Sequence, residues 1–188
     1  MAPSAKKASE KFKRKKVLDR AAIAEGLKKI QREIVRDFPT PENLLILGIR
    51  TRGVTIAERL VDMLENQYGE RPEMGILDIT LYRDDLADRA EHPMVRDSEI
   101  PVDLTGVDIV LVDDVLYTGR TIRAALDEIT DYGRPDHVRL AVLIDRGGRE
   151  YPIQADYIGK TIKVKDDEFV RLHMNEVDDE DEVEVYTR

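Results

Sequence analysis

The chain has 188 residues, of which 37% are charged and 41% hydrophobic, and its net charge is −9. This composition favours one globular domain with a buried core. No apolar run approaches the roughly 20 residues that cross a bilayer, and the absence of cysteine excludes disulfides, thiol nucleophiles and cysteine-based zinc sites. The N-terminal residues lack the apolar core of a secretory signal, so we expect a cytoplasmic protein with no membrane partner.

The charge is concentrated at the two ends of the chain. Residues 1–16 contain seven Lys and Arg and one Glu, which predicts a basic, disordered arm ahead of a single domain at residues 17–188. Residues 176–184 contain seven Asp and Glu and no base, which is typical of a solvated acidic segment. A globally acidic protein does not attract nucleic acid by net charge, so RNA binding would need a local basic face. The basic arm is one candidate for that face.

Buried strands alternate with helices along the middle of the chain. The predicted order is helix 17–37, strand 44–49, helix 53–67, strand 75–82, loop 83–99, strand 107–112, helix 120–132 and strand 138–144. Shorter strand-like pieces follow residue 152. This alternation predicts an α/β fold with a mainly parallel sheet, which binds its ligand at the carboxyl ends of the strands.

The run from Ile109 to Thr121 joins an apolar strand, two adjacent carboxylates and a turn that opens a helix. Asp113 and Asp114 follow the apolar residues and can accept hydrogen bonds from ribose hydroxyls. The turn from Thr118 to Thr121 can surround a phosphate with N–H groups at the positive end of a helix dipole. A response-regulator receiver also has an acidic pair on a strand, but here two strand–helix units precede the pair, and no P-loop signature occurs. The run therefore predicts a pocket for a phosphorylated sugar.

A second loop, from Gly48 to Gly53, lies between a predicted strand and helix and carries Arg50 and Arg52. A tight turn that offers N–H groups and two guanidinium groups can hold the charge of a departing pyrophosphate. A solvated basic turn is the alternative. The sugar motif further along the chain favours the pyrophosphate site.

Two further loops begin where predicted strands end. The loop that starts with Tyr82, Arg83, Asp84 and Asp85 is long and charged, so it is either disordered or a lid that keeps water from a reactive sugar. The segment from Asp145 contains two glycines that allow close approach to a flat ligand such as a nucleobase, and a simple exit turn is the alternative. The three histidines have no ligand spacing, so we predict that they lie on the surface and form no metal site.

Together these loops resemble the PyrR family, the bifunctional pyrimidine operon regulatory proteins and uracil phosphoribosyltransferases. The resemblance covers roughly residues 17–186, and its segments lie at residues 48–53, 78–86, 110–121, 143–150 and 156–160. It implies the type I phosphoribosyltransferase fold, in which helices flank a central, mainly parallel sheet and a small hood is built from the N- and C-terminal parts. It also implies a homo-oligomer built on dimers.

The resemblance implies the reaction of uracil with phosphoribosyl pyrophosphate (PRPP), which gives UMP and pyrophosphate, with Mg²⁺ as cofactor. The cation would be held by PRPP, Asp113 and Asp114, since Mg²⁺ prefers oxygen ligands. Asp114 is also a candidate for accepting a proton from uracil. The implied site residues are Asp113, Asp114, Arg50 and Arg52 for catalysis; Val115, Leu116, Tyr117, Thr118, Gly119, Arg120 and Thr121 for the 5′-phosphate; Arg50, Thr51, Arg52 and Gly53 for pyrophosphate; and Ile144, Asp145 and Arg146 for the base.

The family resemblance also implies a regulator that binds a hairpin in pyrimidine operon leader mRNA, more tightly with UMP or UTP, and promotes transcription termination. Lys28, Arg32 and Lys160 are the candidate RNA-binding cations. The chain departs from the family pattern at Gln154, where the family carries Arg, and at Gly148, where it carries His. Two alternatives stay open: a nucleotide-sensing RNA regulator with vestigial catalysis, and a purine-type phosphoribosyltransferase.

Overall fold

The computed structural model describes residues 13–82 and 97–187. In chain order the elements are β1 (Lys13–Leu18), α1 (Arg20–Asp37), β2 (Leu44–Ile49), α2 (Arg52–Tyr68), β3 (Glu73–Leu77), a 3₁₀ helix (Ile79–Tyr82), β4 (Asp108–Leu116), α3 (Arg120–Tyr132), β5 (His137–Asp145), β6 (Tyr157–Thr161), β7 (Glu168–His173), α4 (Asn175–Asp178) and β8 (Glu182–Thr187). None of the helices within these two ranges has the length and apolar character of a membrane span.

Five parallel strands form the central sheet, in the order β3-β2-β4-β5-β6. Every residue of β2 is buried, as expected of a strand that is covered on both faces. Leu44 and Ile46 pack with α1 and α2, whereas Leu45 and Leu47 pack on the opposite face with α3. The predicted parallel α/β sheet flanked by helices is therefore confirmed.

A smaller antiparallel sheet, in the order β1-β8-β7, forms the hood. Its strands come from the two ends of the described chain, and β1 pairs along β8 from Lys13 to Leu18. The predicted start of the domain at residue 17 is therefore too late, because the basic residues 13–16 have a strand partner. Residues 1–12 of the predicted arm lie outside the described residues.

Two strand boundaries differ from the prediction. The strand predicted at residues 75–82 ends before Asp78, which accepts the N–H of Thr80 at 3.0 Å as the 3₁₀ helix begins. In contrast, β4 continues to Leu116, because Asp113 still pairs with the neighbouring strand β5. The two adjacent carboxylates consequently lie on the strand itself and not in the loop beyond it.

The acidic segment at residues 176–184 is folded, so the prediction of a solvated segment is wrong. Arg59 on α2 donates to Asp181 at 3.1 and 2.6 Å, and to Glu176 at 2.8 and 2.6 Å. Only 4% of the Asp181 side chain is exposed. Arg59 thus neutralises a buried carboxylate and joins the hood to the helix layer of the main sheet.

We predict that Arg59→Met lowers the free energy of unfolding by about 3 kcal/mol, because it leaves the buried carboxylate of Asp181 with only the more distant Arg20, at 3.8 Å, as a cationic partner. Urea denaturation at neutral pH measures this change. The matched control is Arg71→Met, since Arg71 pairs with the exposed Asp62 and Glu65, and its loss should cost less than about 1 kcal/mol. Equal losses in the two variants would contradict the assignment.

The same variant should change the response of stability to acid. Burial raises the pKa of Asp181, but the hydrogen bonds from Arg59 and the Asn175 N–H, together with the charges of Arg59 and Arg20, leave that pKa below its ordinary value. Hydrogen bonding to Arg59 also lowers the pKa of Glu176. This stabilisation is present above the unfolded-state pKa values and is lost as the pH falls through the lower folded-state values. We therefore expect a smaller loss of stability on acidification for Arg59→Met than for the wild-type protein.

Candidate active site

Four loops meet at the carboxyl edge of the parallel sheet. The register places Gly48 of β2 beside Val112 of β4, Asp113 beside Val142 of β5, and the last residue of β5 beside the last residue of β6. Because the strands are parallel and in register, the segments that follow β2, β4, β5 and β6 emerge side by side. This edge is where the sequence placed its ligand site.

Two glycines fit the loop after β2 closely against its surroundings. A Cβ at Gly48 would lie 2.7 Å from the Cα of Val54, and a Cβ at Gly53 would lie 2.5 Å from the carbonyl oxygen of Val112. Neither Cβ could be accommodated without a shift of backbone. Residues 50–53, the predicted pyrophosphate loop, are therefore held against β4 directly beside Asp113.

The two arginines of this loop are held by carboxylates from different parts of the fold. Nη2 of Arg50 donates to Glu99 at 3.2 Å, and its Nε lies 3.8 Å from the carboxylate of Asp78. That buried Nε has no hydrogen-bond acceptor among the described residues. Arg52 donates to Asp178 of the hood at 3.2 and 2.8 Å. These contacts thus hold both guanidinium groups in fixed positions at the edge of the loop.

The adjacent carboxylates on β4 are held by main-chain hydrogen bonds. Asp113 is 7% exposed and accepts the N–H of Asp114 at 2.9 Å, and Asp114 accepts the N–H of Val115 at 2.7 Å. Burial raises the pKa of Asp114, while the Val115 N–H and the charge of Arg52 act in the opposite direction. A cation or a hydroxyl donor at this point would favour the ionised form of the carboxyl.

The turn between β4 and α3 has the geometry of an anion site. Gly119 precedes the helix with a φ of 91°, and no acidic residue lies in the first helical turn. The first N–H groups of a helix have no acceptor within it, and they carry the positive end of the dipole. The carbonyl of Thr118 accepts the N–H groups of Glu150 and Tyr151 at 2.9 and 3.0 Å, which fixes the turn. These features suit a phosphate.

The predicted phosphate residues divide into two sets. Tyr117, Thr118 and Gly119 form the turn, and Arg120 and Thr121 begin α3. Val115 and Leu116 instead belong to β4, and the Leu116 side chain is in the core. Their role in phosphate binding would be to position the turn, since the strand delivers it to the edge of the sheet.

The loop after β5 forms one wall of a cavity. The Arg146 guanidinium lies over the ring of Tyr117, 3.9 Å from its centroid, and donates to the carbonyl of Glu168 at 2.8 Å. Asp145 accepts from Arg149 at 2.7 Å. Asp145 and Arg146 line a cavity of about 440 Å³, whereas the third predicted base residue, Ile144, is fully buried in the sheet.

Three residues on the other wall of this cavity were missed by the sequence analysis. Thr161, Ile162 and Lys163 line it at the carboxyl end of β6. The signal that could have found them is the short apolar start of β6, which predicted a strand. A fifth parallel strand brings its carboxyl end to the same edge.

Gly148 is one of the two departures from the family pattern. Its φ is +77°, and a Cβ there would lie 2.5 Å from Cε2 of Tyr117. A histidine at this position would require Tyr117 to move. The stacking of Tyr117 on Arg146 therefore depends on glycine at residue 148.

Tyr82 is the described part of the predicted lid. Its hydroxyl bonds to Asp131 on α3, which raises the pKa of Tyr82 to about 12, and its carbonyl accepts from Arg123 at 3.1 Å. Tyr82 is thus anchored on α3 where the predicted lid begins. The other predicted lid residues, Arg83, Asp84 and Asp85, lie outside the described residues.

Two sets of side chains could hold a cation. His173, Glu182 and Glu184 bring ligand atoms within 4.8 Å of one another, and the His173 side chain is 15% exposed, so the prediction that all histidines lie on the surface is wrong. Glu182 already pairs with Lys16 at 2.8 Å, and Glu184 accepts a hydrogen bond from the Tyr186 hydroxyl, so both carboxylates already have partners within the fold.

Asp113 and Asp114 are the second set. Carboxylate oxygens are the ligands that Mg²⁺ prefers, and the pKa of Asp114, raised by burial, is the response of a carboxyl that lacks a sufficient positive partner. The pair belongs to no three-residue metal cluster within the described ranges. The residues therefore fit a Mg²⁺ ion, whose remaining ligands would come from substrate and water.

The three candidate RNA-binding cations lie on neighbouring elements at one edge of the sheet. Lys28 and Arg32 are exposed on α1, and Lys160 is exposed on β6. The helix packs along this strand, where the side chain of Lys29 donates to the carbonyl of Ile158 at 2.8 Å. Lys28 also pairs with Glu25 at 2.8 Å, which reduces the charge it can offer to RNA.

We predict that Gly53→Ala weakens pyrophosphate binding by about tenfold and destabilises the fold by about 2 kcal/mol, because its Cβ would displace the loop from the Val112 carbonyl. Calorimetry with magnesium pyrophosphate and urea denaturation measure the two effects. Gly26→Ala is the matched control, since it is also a buried helical glycine, but its Cβ would be tight only against the flexible end of Leu143, at 3.2 Å, and would make ordinary van der Waals contact with the backbone of Gly159, at 3.5 Å. Unchanged affinity in Gly53→Ala would contradict the location of the pyrophosphate loop.

The phosphoribosyl transferase domain family matches residues 13–173. The chain is 48% identical over 174 residues to the bifunctional protein PyrR of Bacillus mycoides (strain KBAB4), which covers 92% of this chain and 97% of that protein. It is 47% identical over 174 residues to the bifunctional protein PyrR of Bacillus cereus (strain B4264), with the same coverage.

Solved structures of similar fold include a hypoxanthine phosphoribosyltransferase of Trypanosoma cruzi, with a TM-score of 0.69 and 18% identity over 92% of this chain and 96% of that chain. A hypoxanthine-guanine phosphoribosyltransferase of Bacillus anthracis has a TM-score of 0.65 and 19% identity, over 85% of this chain and 88% of that chain. These likenesses show the type I phosphoribosyltransferase fold and carry no information on the base. The domain match and the close relatives together show that the chain belongs to the PyrR family of phosphoribosyltransferases.

Proposed function

We propose that this protein is a uracil phosphoribosyltransferase that converts uracil and PRPP to UMP and pyrophosphate, and that it also attenuates transcription of pyrimidine operons by binding their leader mRNA. The observation that carries the enzymatic proposal is the meeting of three different loops at one edge of the sheet. One suits pyrophosphate, one suits a ribose 5-phosphate, and one borders a cavity for a base. Membership of the PyrR family supports uracil as that base.

The site residues support a mechanism based on positioning. The start of α3 binds the 5′-phosphate, Asp113 and Asp114 hold the ribose hydroxyls, and the loop from Arg50 to Gly53 binds the pyrophosphate. The bond from C1 of the ribose to pyrophosphate breaks ahead of attack, and a uracil nitrogen then captures the oxocarbenium-like sugar from the opposite face. Catalysis comes mainly from orientation and from stabilisation of the leaving group.

A Mg²⁺ ion bound with PRPP would supply positive charge to the pyrophosphate and ribose oxygens. Asp113 and Asp114 are the residues of this chain that would hold it. Asp114 is also the candidate acceptor for the uracil proton, and the partial burial of its carboxyl supports that role. The cavity bordered by Asp145 and Arg146 would receive the base on the far side of the sugar from the pyrophosphate loop.

The regulatory proposal is that UMP or UTP in this same site stabilises the RNA-binding form of the protein. A ligand that binds one form more tightly shifts the population towards it, and RNA and nucleotide must then strengthen each other's binding. Lys28, Arg32 and Lys160 supply the positive charge. We also propose that the protein acts in the cytoplasm, as a homo-oligomer built on dimers.

The double variant Asp113→Asn with Asp114→Asn should lower UMP formation by at least about a hundredfold, since neutral amides cannot replace two carboxylates that orient the sugar and its cation. Steady-state assays with PRPP and either uracil, hypoxanthine, guanine or orotate measure the activity of both proteins. The wild-type protein should prefer uracil. A preference for hypoxanthine or guanine would favour the purine-type alternative, and near-normal turnover in the folded double variant would remove the site assignment.

The RNA proposal predicts that Arg32→Ala with Lys160→Ala weakens binding of a pyrimidine leader hairpin by about tenfold at moderate salt and lowers the salt dependence, because two phosphate contacts are lost. Fluorescence anisotropy with and without UMP measures this. Arg71→Ala with Arg134→Ala is the control, since it removes the same charge from exposed residues elsewhere on the fold.

If the affinity of the wild-type protein for the RNA hairpin does not depend on UMP, the regulatory proposal is contradicted and only the enzymatic proposal remains. Absence of uracil turnover together with nucleotide-dependent RNA binding would instead favour a regulator with vestigial catalysis.

A further inference from the structure

A carboxylate of the hood holds the second arginine of the pyrophosphate loop. Oδ2 of Asp178 accepts from Nε of Arg52 at 3.2 Å, and Oδ1 accepts from Nη2 at 2.8 Å. The two side chains are only 18% and 22% exposed. Asp178 belongs to the acidic segment that the sequence indicated to be solvated, so this contact joins the end of the chain to the loop after β2.

The Asp178 carboxylate is itself fixed within the hood. It accepts the N–H of Met174 at 3.0 Å, and Met174 is fully buried in the core that the hood shares with α1 and α2. Burial raises the pKa of Asp178, but its hydrogen bonds from Arg52 and Met174 and the nearby His173 outweigh this and leave the pKa below its ordinary value. The carboxylate therefore stays ionised at neutral pH and acts as a rigid anchor for the guanidinium.

The anchor occupies one edge of the Arg52 guanidinium and leaves another exposed to a ligand. A guanidinium has five N–H donors. Asp178 accepts hydrogen bonds from two of them, the one on Nε and one of the two on Nη2. Nη1 has no acceptor among the residues that the structure describes. An arginine held by its Nε edge can still donate from Nη1 and Nη2 together, which is the bidentate geometry that phosphate oxygens prefer. Arg52 directly precedes Gly53, where a Cβ would lie 3.3 Å from the Cα of Asp113, and its charge also acts on the carboxyl of Asp114.

We propose that Asp178 is a positioning residue for the leaving pyrophosphate, which holds Arg52 by its Nε edge so that the opposite edge faces the pyrophosphate. The inference rests on the proposed function, because it assigns a positioning role to a further residue, Asp178, at the same site. An arginine that is fixed before the ligand arrives loses less conformational entropy on binding. Asp178 consequently affects the binding of PRPP and pyrophosphate and leaves the binding of uracil unaffected.

The chain offers a matched control within the same hood segment. Asp181 accepts the N–H of Asn175 at 2.9 Å and is paired with Arg59, as Asp178 accepts the N–H of Met174 and is paired with Arg52. Arg59 lies two turns further along α2, outside the pyrophosphate loop. Asp181→Asn and Asp178→Asn should therefore disturb the hood to a similar extent, while only Asp178→Asn releases the arginine that faces the ligand.

The test is steady-state kinetics of UMP formation together with calorimetry of magnesium pyrophosphate binding, for the full chain carrying Asp178→Asn, Asp178→Glu or Asp181→Asn. We expect Asp178→Asn to raise the KM for PRPP and the Kd for pyrophosphate by about tenfold, with the KM for uracil within about twofold of wild type. Asp178→Glu keeps the charge and should recover most of the loss. Asp181→Asn should leave all three constants near their wild-type values.

A double-variant cycle adds a measurement that would give a different result if the role of Asp178 were purely structural. In the Arg52→Lys background the bidentate contact is already lost, so Asp178→Asn should have less than about a third of its effect on pyrophosphate affinity. Additive effects, equal effects of Asp181→Asn, or tighter pyrophosphate binding in Asp178→Asn would overturn the proposal. Calorimetry needs no turnover, so it tests Asp178 even if the wild-type protein fails to convert uracil, a result that would count against the proposed function alone.

Discussion

The approach of Gly53 to the backbone of β4 is the constraint on which the rest of the site depends. The first turn of α2 lies so close to the carbonyl of Val112 that a single Cβ would not fit between them. This contact places the pyrophosphate loop directly beside Asp113. Because β4 then continues into the turn that opens α3, one strand fixes the spacing between the loop proposed to bind pyrophosphate and the turn proposed to bind the 5′-phosphate. The arrangement needs no movement of the sheet to bring the charged groups of the site together.

The sequence predicted the central sheet well, because its strands are continuous apolar runs such as Leu44–Ile49, whose bounds agree with the structure. It was less successful where polar residues lie in strands. Asp113 was assigned to a loop, although its backbone still pairs with β5, and the basic residues 13–16 were assigned to an arm, although they pair with the far end of the chain. Local composition carries no signal for a pairing partner so distant in sequence. The same limitation hid residues 161–163, which reach the cavity beside Asp145 and Arg146 only through the order of the strands.

The acidic segment near the C-terminus has the composition of a solvated segment, yet it makes specific contacts in the fold. Asp178 and Asp181 each accept hydrogen bonds from an arginine of α2 and from a main-chain N–H of their own segment. The segment therefore attaches the hood to α2 and also lies beside the candidate active site. One of these arginines lies in the pyrophosphate loop. The Arg52–Asp178 contact thus physically links the hood to the loop that we propose binds the leaving group.

The central claim is that one edge of the sheet binds a complete PRPP molecule in a defined direction. A crystal structure of the protein with PRPP and Mg²⁺, in the absence of uracil, tests it most directly. The account predicts the 5′-phosphate on the N–H groups of Thr118 to Thr121, the ribose hydroxyls on Asp113 and Asp114, and the pyrophosphate on the loop from Arg50 to Gly53. PRPP bound in the reverse direction, or at a different edge of the fold, would contradict the account.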